Sequence, residues 1–123
     1  MRQSSYSVTA SQKDIFAFAT DLFLNVNMKI AKTDVASSLV DGVLKAGTRM
    51  AADGKVATAG SSSTASTAYG VLVNDVDFND SKGTEIGSVC IFGFLNEAKV
   101  KEYSGSSTIT DYEKAALNFI KFI

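Results

Sequence analysis

The 123-residue chain contains no histidine, no tryptophan, no proline and a single cysteine. Each absence excludes something. Without histidine the commonest general base and metal ligand are missing, so a Ser-His-Asp triad or a histidine-bound zinc centre is ruled out. Cys90 cannot close a disulfide within the chain, which agrees with synthesis in a reducing cytoplasm. Without proline, turns must come from Gly, Asn, Asp and Ser. No apolar run approaches the roughly 20 residues that span a bilayer, and "MRQSSYSVTASQK" lacks the apolar stretch of a secretory signal. A soluble protein without a membrane partner is expected. The formal net charge is −1 and no basic cluster is present, so nucleic acid is not an expected partner either.

What is present is a sizeable apolar fraction, 46%, enough for the core of one domain. Residues 1–12 are polar and read as a flexible arm, and residues 13–123 as a single domain. A helix is possible over Lys13–Phe23. Leu24, Val26, Met28 and Ile30 then alternate with Asn25, Asn27 and Lys29, the period of a half-buried strand. Asp53-Gly54 joins Arg49–Ala52 to Lys55–Thr58 as a small hairpin, and Gly60–Thr67 reads as a Ser/Thr-rich surface loop.

Ala68–Val76 and Glu85–Leu95 are rich in β-branched and aromatic residues and read as strands. In the second, Val89, Ile91 and Leu95 point one way and Cys90, Phe92 and Phe94 the other. Both faces are apolar, so both should be covered, one of them by core and the other by something else, such as another subunit. Near the end, Asn96 is placed to cap a helix over "EAKVKEY". Thr110 and Glu113 have the spacing of a capping box, with Tyr112, Ala115, Ala116 and Phe119 on one helical face. "FIKFI" suits a final strand. The expected class is mainly β with short helices (α+β), a small mixed β-barrel or β-sandwich-like domain.

"VNDVDFNDSKGTE" approaches the rhythm of a calcium loop, D-x-[DN]-x-[DN]-G-x5-E. Counted from Asp75, however, the glycine position holds Asp80 and the closing glutamate position holds Ile86. Asp75, Asp77, Asn79 and Asp80 are therefore read as the wet side of a strand and its turn, with no metal. Cys90 has no basic neighbour in sequence and reads as a small buried hydrophobe. Glu97, Glu102, Asp111 and Glu113 read as scattered surface acids. The serines have no histidine partner, a Ser–Lys pair stays open but no Ser-x-x-Lys sits at a strand–helix junction, and no phosphate loop or dinucleotide fingerprint is present, so no catalytic residue and no cofactor is assigned.

"GVLKAGTRMAADGKVATAG", "AYGVLVNDVD" and "GFLNEAKV", in that order, resemble the head decoration proteins of tailed bacteriophages, the lambda-like capsid-stabilising group. The likeness covers roughly residues 39–123, through a Gly-Thr/Asp-Gly hairpin at Ala46–Lys55, a Gly-Val-Leu strand at Gly70–Asp77 and Gly93–Glu97. The related phage head-fibre proteins share some of this patterning. The resemblance implies a homotrimer seated on the outer surface of a capsid, with the major capsid protein as partner and no small-molecule ligand. It also implies an N-terminal arm that orders on the capsid, here Ser4, Ser5, Tyr6, Ser7, Val8, Thr9 and Ala10, where Tyr6 and Val8 alternate with small polar residues. Phe92 and Phe94 are expected at a subunit interface. The alternatives are a receptor- or glycan-binding domain on the virion, which would show exposed aromatics outside the core, and a small β-clip-type enzyme or carrier domain, which would need a concave polar site.

Overall fold

The computed structural model describes residues 14–18, 22–80, 83–106 and 108–123. It is a small α+β domain of mostly antiparallel strands with three short helices. The spine is a 12-residue strand, Thr84–Leu95, labelled β6 in chain order. On one side it pairs antiparallel with β1 (Leu24–Ala31), and on the other with β4 (Ala68–Leu72), which carries β3 (Arg49–Ala51) at the far edge. The last strand, β7 (Ile120–Phe122), runs parallel to the end of β6. A separate ribbon pairs β2 (Val43–Leu44) with β5 (Val76–Asp77). The helices are α1 (Lys32–Val35), which runs into a 3-10 turn at Ala36–Ser38, then α2 (Glu97–Ser104) and α3 (Asp111–Ala116).

The period-2 pattern of β1 is realised as expected, with Met28 and Ile30 buried beneath it. The hairpin forms too. Ala57 N–H donates to the Arg49 carbonyl and Ala51 N–H to that of Lys55, although the returning arm makes only one bridge, Met50 to Val56. Asn96 caps α2 by accepting from Lys99 N–H at 3.2 Å. Thr110 and Glu113 form the capping box of α3.

Four expectations need correction. The described part of Lys13–Phe23 is not helical. Ile15 is fully buried, and the segment lies extended against the end of β6, with Phe16 bridging Leu95 and the Ile15 carbonyl accepting from Asn96 N–H. An anchored core side chain and main-chain bonds to an existing strand outweigh an ambiguous helical pattern. Second, Ala68–Val76 is two strands, because the chain leaves the sheet after Leu72 and the Asp75 carboxylate instead holds the Ala46 N–H at 2.7 Å.

Third, β6 does not keep one alternation to its end. Leu24 pairs with Phe92 but Asn25 with Cys90, an extra residue on β6 at Ile91, and Gly93 takes a φ of +144°. Past this irregularity Leu95 packs in the same cluster as Cys90, not with Val89. Both faces of β6 are covered at Val89 and Cys90 from within the chain. Val89 joins Met28, Ile30, Leu44, Met50, Leu72 and Phe78, while Cys90 joins Ile15, Val71, Leu95, Val100 and Leu117. Fourth, Glu113 is not a surface acid but the buried side chain of α3, while of the expected helical face Tyr112, Ala115 and Phe119 are exposed and Ala116 packs against the core.

Candidate functional site

The acidic stretch does not build a metal site. Asp77 Oδ1 accepts from both the backbone N–H and the side-chain amide of Asn79, each at 2.9 Å, and that amide also donates to the Asp41 carbonyl. Asp75 is turned to the Ala46 turn, and Asp80 is exposed beyond β5. Among the described residues no three His, Cys, Asp or Glu side chains come together as metal ligands would.

The buried polar centre of the domain lies elsewhere, and it was not legible from sequence spacing. Arg49, on the edge strand β3, reaches inward to α3, where its Nε donates to Glu113 Oε2 at 2.7 Å with both side chains buried. Its Nη1 donates to the Gly47 carbonyl and to Ser104 Oγ, and its Nη2 to Ser106 Oγ and the Thr108 carbonyl. The other oxygen of Glu113 accepts from Thr110 N–H at 3.0 Å. One carboxylate therefore serves as helix cap and as counter-ion at once. The signal available beforehand was an arginine between buried-type residues in a hairpin arm, "TRMA", with Glu113 read as a cap and as one of the scattered surface acids, whereas it is buried.

A cavity of about 190 Å³ lies beside this pair, lined by Ser38, Thr48, Val56, Ala57 and the two serines. All five guanidinium N–H groups already have acceptors within the chain, so Arg49 has none left to offer an anion. This centre locks the hairpin to the C-terminal helices; it does not form a ligand site.

The chain does expose an apolar surface. At the end of β6, a groove of about 530 Å³ is lined, among the described residues, by Leu22, Phe23, Leu24, Ile91, Phe92 and Phe119. Phe119 is 68% exposed, Leu22 62%, Leu24 53% and Phe92 45%. Of the two side chains expected at an interface, Phe92 lines this groove, whereas Phe94 is half-buried and meets the Phe18 ring edge-on, centroids 5.9 Å apart. Phe16 and Phe23 stack obliquely close by, at 4.7 Å. Sequence reasoning missed Leu22, Leu24 and Phe119 as its members, because two were assigned to a helix or strand face and one to a helical face with Tyr112.

Cys90 is buried, its Sγ against the Phe92 carbonyl at 3.2 Å, and burial raises its pKa above that of an ordinary thiol. It is no poised nucleophile. Ser4–Ala10 lie outside the described residues. Among the described residues no helix is long and apolar enough to cross a membrane.

The chain matches no family model, no curated protein and no solved structure. Its chemistry must therefore be judged on its own surface. That surface offers contact area: scattered, solvated charges and one continuous apolar groove.

Proposed function

We propose that this chain is a structural protein of a virion, a capsid decoration or cement protein. It binds the outside of a tailed-phage head as a trimer, with the major capsid protein and its own copies as partners, and stabilises the expanded shell against the pressure of packaged DNA. The observation that carries this is the apolar groove around Phe92 and Phe119. A domain of this size that exposes Leu22, Phe23, Leu24, Phe92 and Phe119 side by side, among the described residues, has a surface suited to protein contact. The order of the hairpin, Gly-Val-Leu and Gly-Phe-Leu-Asn-Glu motifs supports the same assignment. Only the assembled lattice presents the docking site, so occupancy stabilises the shell by linkage, multiplied over many sites.

The glycan- or receptor-binding alternative calls for exposed aromatics, and these are present. It also calls for polar side chains beside them to hold hydroxyls, and among the described residues the groove is lined by apolar side chains. The β-clip enzyme alternative calls for a polar concave site with groups free to act, and the cavity beside Arg49 is bordered by an arginine whose donors are all engaged. The test is saturation of purified expanded heads, built from the major capsid protein of the same phage. Bound copies per head are counted by densitometry after sedimentation. Saturable binding near one trimer per threefold position, with heads that then resist chelator or heat, is expected. Failure to co-sediment with expanded heads at micromolar concentration overturns the proposal.

A further inference from the structure

The apolar groove at the end of β6 has a plug of matching chemistry beside it. Phe119 lines that groove and also two smaller hollows, one of about 290 Å³ shared with Tyr69, Ile91 and Leu117, and one of about 160 Å³ shared with Gly93, Phe94 and Lys121. It therefore stands as a ridge between concavities. Its backbone cannot carry it inward. The Phe119 carbonyl accepts from Gly93 N–H at 3.2 Å, and Ile120 N–H donates to the Leu117 carbonyl at 3.0 Å. Leu117 and Ile120 are both buried, and a chain that sends these two inward leaves the ring between them facing solvent.

The opposite wall rests on the same glycine. Gly93, at a φ of +144°, lets the Leu22–Phe23 segment lie so close that an added Cβ would stand 3.1 Å from Phe23 Cβ and 3.3 Å from the Leu22 carbonyl oxygen. Ridge and groove share one anchor, so neither has to be ordered at the moment of contact, which removes part of the entropic cost of binding.

A patch that carries a knob and a hollow side by side is self-complementary. When two copies meet about a two-fold axis, the ridge of each enters the hollow of the other, and the same residues serve twice. A closed threefold ring calls instead for two different patches on each copy. The groove, at about 530 Å³, lies within the range of about 300–1,000 Å³ that holds whole ligands, so it admits a phenyl ring. Area points the same way. Phe23 is 39% and Tyr69 45% exposed. Together with the more exposed Leu22, Leu24, Phe92 and Phe119, and taking about 150–250 Å² for a large side chain, they leave about 600 Å² of apolar surface on each copy. That is the upper end of the largest patch on an ordinary monomer, about 300–600 Å². Two such patches bury about 1,200 Å², the lower end of specific interfaces. Among the described residues that line the three hollows, Lys121 carries the one charge, so nothing there selects a partner of opposite charge.

We infer that the free protein forms a two-fold dimer in which Phe119 of each copy enters the groove lined by Leu24 and Phe92 of the other. The inference rests on the proposed function only in reading the groove as a contact surface. It adds that the groove is occupied before a head is met, so each copy must leave its twin to use that groove on the shell. An interface at the lower limit of size suits such an exchange.

Sedimentation equilibrium of the purified chain, loaded from about 1 µM to about 500 µM, should show monomer and dimer with a Kd of about 1–100 µM. Phe119→Lys and Leu24→Glu should each weaken the dimer at least about tenfold while leaving the circular dichroism spectrum unchanged. Mixed in equal amounts, the two variants should recover a heterodimer. It keeps one native ridge-in-groove contact and sets the new ammonium of one chain beside the new carboxylate of the other. A chain that stays monomeric across the range overturns the inference. So does a trimer, a dimer that both variants form as readily as the original, or a mixture no better associated than its components. Head binding is scored separately. A monomer that saturates heads sinks this inference and leaves the proposed function standing, whereas a dimer with these properties that never binds heads does the reverse.

Discussion

Replacing Arg49 by methionine tests the central lock. Methionine keeps the apolar stem in place but removes five hydrogen bonds and the positive charge from a buried site. Glu113 Oε2 is left as an uncompensated buried anion, and the Gly47 and Thr108 carbonyls lose a donor. Breaking a buried ion pair from one side typically costs about 3–5 kcal/mol. Against a typical domain stability of about 5–15 kcal/mol, that is a large share. Near this chain length each kcal/mol shifts the midpoint by about 3–5 °C, so Arg49→Met should melt about 10–20 °C lower. Glu113→Gln should keep the capping box, since the amide oxygen can still accept from Thr110 N–H, but it turns its NH2 against Arg49 Nε–H and should also destabilise, by leaving the guanidinium without its counter-ion. The double variant should be more stable than the sum of the two losses implies, because the second change removes the charge that the first orphaned. Urea unfolding of all four proteins by circular dichroism gives the coupling energy directly. A loss below about 0.5 kcal/mol for Arg49→Met, the range of ordinary surface changes, would refute the assignment of this pair as the lock.

Other expected outcomes follow from features of the surface and the core. Phe92→Asp and Phe119→Asp should each leave the melting midpoint within a few degrees yet weaken self-association or head binding at least about tenfold; unchanged sedimentation in both assays would remove the groove from the interface. Gly87→Ala should destabilise by about 1–3 kcal/mol, since a Cβ there would stand 2.9 Å from Ile30 Cδ1 and Leu72 Cδ1, and an unaltered urea midpoint would contradict that packing. Calorimetry with calcium should register no micromolar binding, and a signal abolished by Asp77→Ala would reverse the assignment of that stretch. Glu97 is held below the ordinary carboxylate range, first by its hydrogen bond to Lys114 and then by the charges of Lys114 and Lys101. Its contribution is present above the unfolded-state value of about 4.3 and is lost as pH falls through the lower folded value. Glu97→Gln should flatten that acid-side decline, and an identical slope in the variant would show that the pair adds nothing.

Strands and caps were legible because their signals are local. Alternation over Leu24–Ile30 and the spacing of Thr110 and Glu113 each lie within one or two turns of chain, and both survived folding unchanged. What was not legible depends on partners far away in sequence. Arg49 and Glu113 are 64 residues apart, and no periodicity marks them as a pair. The burial of Glu113 was missed for the same reason: the arginine it pairs with comes from the distant hairpin, and Tyr112 and Phe119 stay exposed. One inserted residue at Ile91 re-aimed the end of β6, a change invisible to a rule that counts by twos. The apolar groove was half-visible, through Phe92, since its other walls come from segments whose exposure only the three-dimensional arrangement decides.

The end of β6 also sets a schedule. Leu95 and its neighbours take hydrogen bonds from both extremes of the described chain: Asn96 N–H reaches the Ile15 carbonyl, Ile123 N–H the Leu95 carbonyl, and Glu97 N–H the Ile123 carbonyl. The cluster around Cys90 likewise draws members from Ile15 to Ile120. The cluster cannot close until Ile120 has been made, more than a hundred residues after Ile15. Until then Ile15, Leu95 and Val100 lack their final cover, and contacts of such long sequence separation form slowly. Closure of this cluster should therefore be a late step of folding. Deleting residues 118–123 would remove β7 and yield an aggregation-prone species, because it would uncover Leu95 and leave one side of β6 at Gly93–Leu95 without its strand.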